Sequence, residues 1–398
     1  MTTKQESKLL NSRYLMLSVI NLIISISFSM VYTSIQKYAM GLGIATAVAG
    51  LITGAFNIAS MAIRPFSGLI SDRINRKLLL IIATFGMGLS IFGYLFITDP
   101  TALIVLRCLH GIFFALSTTV NMAIIPGIVP SKQVGEAICY FGLSQSIAMA
   151  VGPSLGLWLI KVGGYTLSFG IAAALCIAGG CVAIPTHLTE QNTMTAPRHT
   201  LKLSDIIVPR CLPFTMIEVA IAAVSGLESA YIVLYAASVG IENIGWYFTI
   251  SAGTVIFCRV FLGKLIDQKG TFAVFPGLTL MIVGLLVLWL QQGAWMFAVA
   301  AVLKTIGVNL SKPALQAAAI KSVGNERRGA AVSTYYIGTD LGQGLSPMVA
   351  GQIIDGNGGN YRILFLLFTL PLALAGTLFA MLNRWMKKRR TNTGVSKK

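Results

Sequence analysis

The chain has 398 residues, 55% hydrophobic and only 11% charged, with a mean hydropathy of +0.78 and a formal net charge of +17. A soluble domain carries about 25% charged residues. A globule of this size cannot hide so much apolar surface, so the composition excludes a cytosolic enzyme, a disordered chain and a secreted disulfide scaffold and makes the bilayer the solvent.

A spanning helix needs roughly 20 apolar residues, and the chain divides into twelve such stretches. They are predicted at 14–37, 46–70, 78–98, 102–126, 136–160, 166–185, 211–237, 244–266, 272–292, 295–320, 330–353 and 362–386. Nothing alternates in the short runs that a barrel strand requires. The first span carries no acidic residue, and the fourth carries Arg107. The fifth holds Gly142, Gly152, Pro153 and Gly156. Between the sixth and seventh lies the longest polar segment, with Pro197, two histidines and mixed charges, which reads as a linker over 186–210. The halves it separates are 1–185 and 211–398, the second ending in a basic tail at Lys387–Arg390. Ionisable groups then recur inside spans: Glu218 and Glu228 in the seventh, Lys304 and Lys312 in the tenth, Asp340 in the eleventh among Gly338, Gly342 and Gly344. A charge at membrane depth costs a few kcal/mol and is usually functional or paired.

Charge placement orients the spans. Of the 30 Lys and Arg residues, 22 fall on the side of the termini, three on the other side and five within spans. That excess sets both termini in the cytoplasm. The net positive charge is then a topology signal and needs no nucleic acid, and the basic tail suits anionic lipid. Four of the five Trp residues, Trp158, Trp246, Trp289 and Trp295, fall near outer helix ends, where interfacial aromatics belong. No outer loop contains Cys, so no disulfide is expected.

The halves repeat. Arg64-Pro-Phe-Ser-Gly68-Leu-Ile-Ser-Asp72 closes the second span, and Arg259-Val-Phe-Leu-Gly263-Lys-Leu-Ile-Asp267 closes the eighth. Both read Arg-x-Phe-x-Gly-x-x-x-Asp at the same place in each half. Parallel six-helix repeats imply two bundles with a binding cavity at the midplane. The segment Gly68 to Lys77, with Asp72, Arg73 and Arg76, resembles the loop 2–3 signature of the major facilitator superfamily. Arg107-Cys-Leu-His-Gly111 resembles its fourth-helix motif. Gly142 with Gly152-Pro153 and Gly156 resembles the fifth-helix motif of its proton-coupled exporters. Asn75 and His110 stand where that family usually has glycine and glutamine. The resemblance implies an all-α membrane protein of twelve helices in two pseudo-symmetric bundles.

Several roles follow. Asp72 and Asp267 sit just past helix ends, where a carboxylate can face the N-terminus of a helix in the other bundle. With Arg73, Arg76 and Lys77 they form a conformational latch, or else simply anchor the inner interface. Gly152-Pro153 either bends the fifth span to seal the cavity or is an ordinary membrane-helix kink. A carboxyl in a dry site can bind a proton at one face and release it at the other. Glu228 and then Asp340 are the first choices, with Arg107 and Glu218 as coupling residues, each weighed against a structural ion pair. Asn21, Gln36, Asn57, Asn121, Gln145, Tyr231, Tyr335 and Tyr336 are candidates for cavity lining or for helix packing.

The expected function is export of small, partly hydrophobic molecules by alternating access in exchange for protons. The alternative is a proton-coupled symporter importing a sugar or carboxylate. A membrane enzyme is disfavoured: three scattered histidines make no metal site, and no phosphate-binding loop is present. No cofactor is expected. The expected partners are a small-molecule substrate, protons and membrane lipid, with one chain sufficient as a monomer at the cell membrane.

Overall fold

The computed structural model describes residues 11–130, 134–186, 208–261, 270–323 and 328–392. Among these residues the chain is helical, in twelve segments. They are α1 (Ser12–Gly41), α2 (Thr46–Arg73), α3 (Arg76–Gly93), α4 (Pro100–Ile128), α5 (134–162), α6 (165–183), α7 (Leu212–Ser238), α8 (Gly245–Phe261), α9 (Val274–Trp289), α10 (Ala294–Lys321), α11 (Arg328–Gly356) and α12. The last runs over Arg362–Leu367 and, after a turn at Phe368, over Thr369–Asn392. The spans predicted from sequence lie on these helices. Their ends shift for identifiable reasons. Predicted at 78–98, α3 stops at Gly93, because Asp99 caps α4 by accepting from Ala102 N at 2.8 Å with Pro100 at the first helical position. Asn75, which replaces the usual glycine, accepts from Leu78 N at 3.0 Å and so starts α3. Between α5 and α6 the helix breaks at Gly163-Gly164. Gly164 has φ of 72°, a conformation that excludes most side chains.

Two compact units can be separated. The first comprises Met1–Thr200, Leu227–Gly253 and Pro347–Gly358. Its core is aromatic where α1, α2 and α4 meet: Phe28 stacks on Phe114 with centroids 4.4 Å apart and on Phe56 at 5.1 Å. α1 packs along α5, α2 along α4, and α3 on α6. Gly152 and Gly156 make the first of these contacts possible. A Cβ at Gly152 would meet Ser29 Cβ at 2.5 Å, and one at Gly156 would meet Met30 Cα at 3.1 Å. Small residues at such crossings let helix backbones approach where no hydrophobic force joins them in lipid.

The second unit comprises Leu201–Gly226, Thr254–Ser346 and Gly359–Lys398. α9 crosses α10 at Gly277 and Gly307, each closing on the other's carbonyl oxygen. α7 crosses α11 at Gly338 and Gly342: a Cβ at Gly338 would meet Thr215 O at 2.6 Å, and one at Gly342 would meet Ala222 Cβ at 2.8 Å. Gly342→Val should therefore overpack this seam and cost about 1–3 kcal/mol. Thermal unfolding of the purified protein in detergent checks it, and an unchanged midpoint would mean that the seam yields. Among the described residues α11 is not one of the eight stretches whose length and composition suit a membrane crossing. Its polar residues instead face inward: Thr334, Tyr335, Thr339, Asp340 and Ser346 are all buried.

Candidate functional site

The tight α7–α11 crossing brings a carboxylate under a set of donors. Glu218, one turn and a half into α7, is fully buried. Its Oε1 accepts from Thr339 Oγ1 at 2.7 Å and pairs with Lys312 Nζ at 3.0 Å, and its Oε2 accepts from the Tyr335 hydroxyl. Tyr335 and Thr339 lie four residues apart on α11, so one helical face offers both hydroxyls. Lys312 comes from α10, immediately before Pro313, and keeps 30% of its side chain exposed. Three helices thus converge on one buried acid whose base still touches open space. Asp340, the next residue after Thr339, is buried too. A buried carboxylate paired with one ammonium, with a second buried acid next to one of its hydroxyl donors, is an arrangement that can exchange a proton or a cationic group.

The remaining sequence candidates fall elsewhere. Glu228 belongs to the first unit, where it is buried in α7 and engaged with neighbours. Arg107 is fully buried in α4. Its Nε donates to Ile52 O at 3.2 Å and its Nη2 to Thr53 O at 3.4 Å, while the guanidinium lies 4.8 Å from the Phe56 ring centre. His110, in place of the family glutamine, sits beside it: Arg107 Nη1 is 3.5 Å and the Tyr94 hydroxyl 3.3 Å from His110 Nδ1. Arg76 donates to Ser71 O at 3.3 Å and Ala123 O at 3.0 Å, tying the start of α3 to α2 and α4. Gly68, Asp72 and Arg73 end α2 and Gly142 lies in α5, but their side-chain environments lie outside what the structure describes. Asp267 lies outside the described residues altogether. Among the polar candidates, Asn21 donates to Ser144 Oγ at 2.7 Å and Asn57 to the Tyr32 hydroxyl at 3.0 Å, both inside the first unit. These two are packing contacts.

The sequence places Glu218 behind Glu228 and leaves the partner of its ion pair open. It is Lys312 that pairs with it. Thr339 was missed, although its one-turn spacing from Tyr335 was the available signal.

The comparisons agree with this architecture. The model of the Major Facilitator Superfamily matches residues 17–272 and 214–397. An uncharacterized MFS-type transporter, YhhS of Escherichia coli, is 27% identical over 86% of this chain and 84% of its own length. The quinolone resistance protein NorA of Staphylococcus aureus is 22% identical over 84% of this chain and 87% of its own. Among solved structures, a variant of the nucleoside transporter NupG superposes with a TM-score of 0.79 at 12% identity, covering 93% of this chain and 99% of that one. The helical fold is thus shared with a solved transporter over 93% of this chain, and the chain, matched by the family model over nearly its whole length, belongs to the Major Facilitator Superfamily.

Proposed function

We propose that the protein exports small, partly hydrophobic molecules by alternating access in exchange for protons. The observation that carries this reading is the buried cluster of Glu218, Lys312, Tyr335 and Thr339 with Asp340 beside it. A buried carboxylate–ammonium pair with a second buried acid close by in sequence is suited to trading a proton for a cationic cargo. Likeness to a protein named for quinolone resistance supports export. Asp340 and Glu228 bind the transported proton, Glu218 holds Lys312 in register, and Arg107 supplies fixed positive charge. The bundles are 1–185 and 211–398, joined by the linker 186–210. Both termini face the cytoplasm, as the Lys and Arg bias requires. Gly68, Asp72, Arg73, Arg76, Lys77 and Asp267 latch the cytoplasmic side, and Gly142, Gly152, Pro153 and Gly156 keep α5 close to α1. The protein works as a monomer in the cell membrane.

The test is counterflow with a panel of dyes, sugars and carboxylates in proteoliposomes, with and without a pH gradient. Inverted vesicles acidified inside should accumulate a cationic dye against its gradient. Glu228→Gln or Asp340→Asn should lower that accumulation about tenfold, since each removes an intramembrane proton site. Full pH-driven transport by both variants would reject the site assignment, and uptake driven in the opposite sense would make the protein an importer.

A further inference from the structure

Inside the first unit, the end at which α1 passes into α2 is fastened to parts of α7, α8 and α11 by contacts that the proposed function does not use. α2 begins after Ala45 with no side-chain cap of its own. The carboxylate of Asp355, near the end of α11, supplies one instead, accepting from Ala47 N at 2.8 Å. An anion there satisfies an orphan N–H and meets the positive end of the helix dipole. Beside it the two helices touch backbone to backbone. A Cβ at Gly351 would meet Thr46 O at 2.7 Å, and one at Gly50 would strike Pro347 O. Pro347, Gly351 and Asp355 recur every four residues on one face of α11. One layer deeper, Thr53 donates to Gln36 Oε1 at 2.5 Å, Gln36 Nε2 donates to the Tyr231 hydroxyl at 3.1 Å, and that hydroxyl donates to Pro347 O at 2.9 Å. Gln36 and Tyr231 are fully buried. α5 and α8 are joined likewise, by Ser154 Oγ to Gly245 O at 2.9 Å and to Thr249 Oγ1 at 3.1 Å.

We infer that Asp355 and Tyr231 are gate residues: they hold this end of the molecule shut, and the transport cycle must break their contacts to open it. The inference rests on the alternating-access reading. It places on α2 and α11, at the end away from Asp72, a carboxylate-on-helix latch of the kind the sequence suggested only for Asp72. Both halves of the latch are cheap to break. The carboxylate is exposed at its rim, and the deeper hydrogen bonds can be exchanged for water as the seam parts.

The experiment places Ala49→Cys, buried on α2 beside Gly50, in the full-length protein in detergent and follows its labelling by a membrane-impermeant maleimide over the background of the native cysteines. With Asp355 and Tyr231 intact the labelling should be slow. Asp355→Ala should speed it about two- to fivefold, the worth of a carboxylate at a helix N-terminus. Tyr231→Phe should speed it about fivefold, the worth of one to two buried hydrogen bonds. Asp355→Glu, which keeps the charge, should label slowly. Unchanged rates in both Asp355→Ala and Tyr231→Phe would overturn the latch, and fast labelling of Asp355→Glu would overturn the role of its charge. Labelling needs neither a substrate nor a proton gradient, so a negative result leaves the export reading standing, and a failed transport assay leaves the latch standing.

Discussion

Lys312→Met should lower the thermal stability of the protein by about 2–3 kcal/mol, and adding Glu218→Gln should restore most of it. Glu218 is fully buried and Lys312 is its cationic partner at 3.0 Å. Removing the lysine leaves a carboxylate with only the Tyr335 and Thr339 hydroxyls. Breaking a fully buried pair costs about 3–5 kcal/mol. The expected value sits at or below the low end because Lys312 keeps 30% of its side chain exposed and two donors remain. Glutamine in place of Glu218 removes the stranded charge and still offers an oxygen to the hydroxyls, so the two substitutions should be far from additive. Thermal unfolding of the two single variants and the double variant in one detergent gives the coupling directly. Simple additivity would mean that the pair contributes nothing and that Lys312 is held by other contacts. The same variants separate stability from transport. The double variant should fold well yet lose proton-driven exchange, because the buried carboxylate and its ammonium are then both gone from the α7–α10–α11 cluster.

The helices were legible because lipid imposes a plain rule: long apolar runs broken by polar turns. The eleventh span, read as an apolar stretch at 330–353, falls on α11 although that helix buries several polar residues. The glycines of α5 were legible as close-contact residues, since Gly152 and Gly156 do bring α5 against α1. What the sequence hid was partnership. Lys312 is separated from Glu218 by almost 100 residues, and only the glycine crossing of α7 on α11 shows that Tyr335 and Thr339 reach the same carboxylate. Asp355 was passed over because an acidic residue at the end of a span looks like ordinary interfacial polarity. Its meaning depends on a bare helix N-terminus at Ala47, 308 positions away. Departures from family pattern were informative for the same reason: Asn75 is a cap, which no spacing argument revealed.

Arg107→Met is expected to leave the protein at least as stable as before while reducing transport about tenfold or more. The side chain is wholly buried. Among the described residues it meets two α2 carbonyls, the Phe56 ring, His110 and Tyr94, with no carboxylate to balance it. Those carbonyls lie within α2 and have helical hydrogen bonds available, so they lose only a second donor when the guanidinium goes. A buried charge that no carboxylate balances carries a desolvation cost, and an apolar chain of similar volume removes it. Arg107→Ala should behave differently, losing about 3 kcal/mol to the cavity it opens. The contrast between the two variants separates volume from charge. If the methionine variant unfolds as readily as the alanine variant, Arg107 is a structural bolt and its charge has no role in transport. If it is stable but inactive, the charge is retained for the transport cycle. Its position suggests how it would act. The guanidinium holds the Thr53 carbonyl, the Thr53 hydroxyl holds Gln36, and Gln36 reaches Tyr231 and, through it, Pro347. A shift of Arg107 would therefore be felt at the gate through one unbroken chain of hydrogen bonds, the kind of physical link that coupling between distant sites requires. Pairing Arg107→Met with the labelling assay at position 49 tests that link: a labelling rate unchanged from the parent would disconnect the buried cation from the gate.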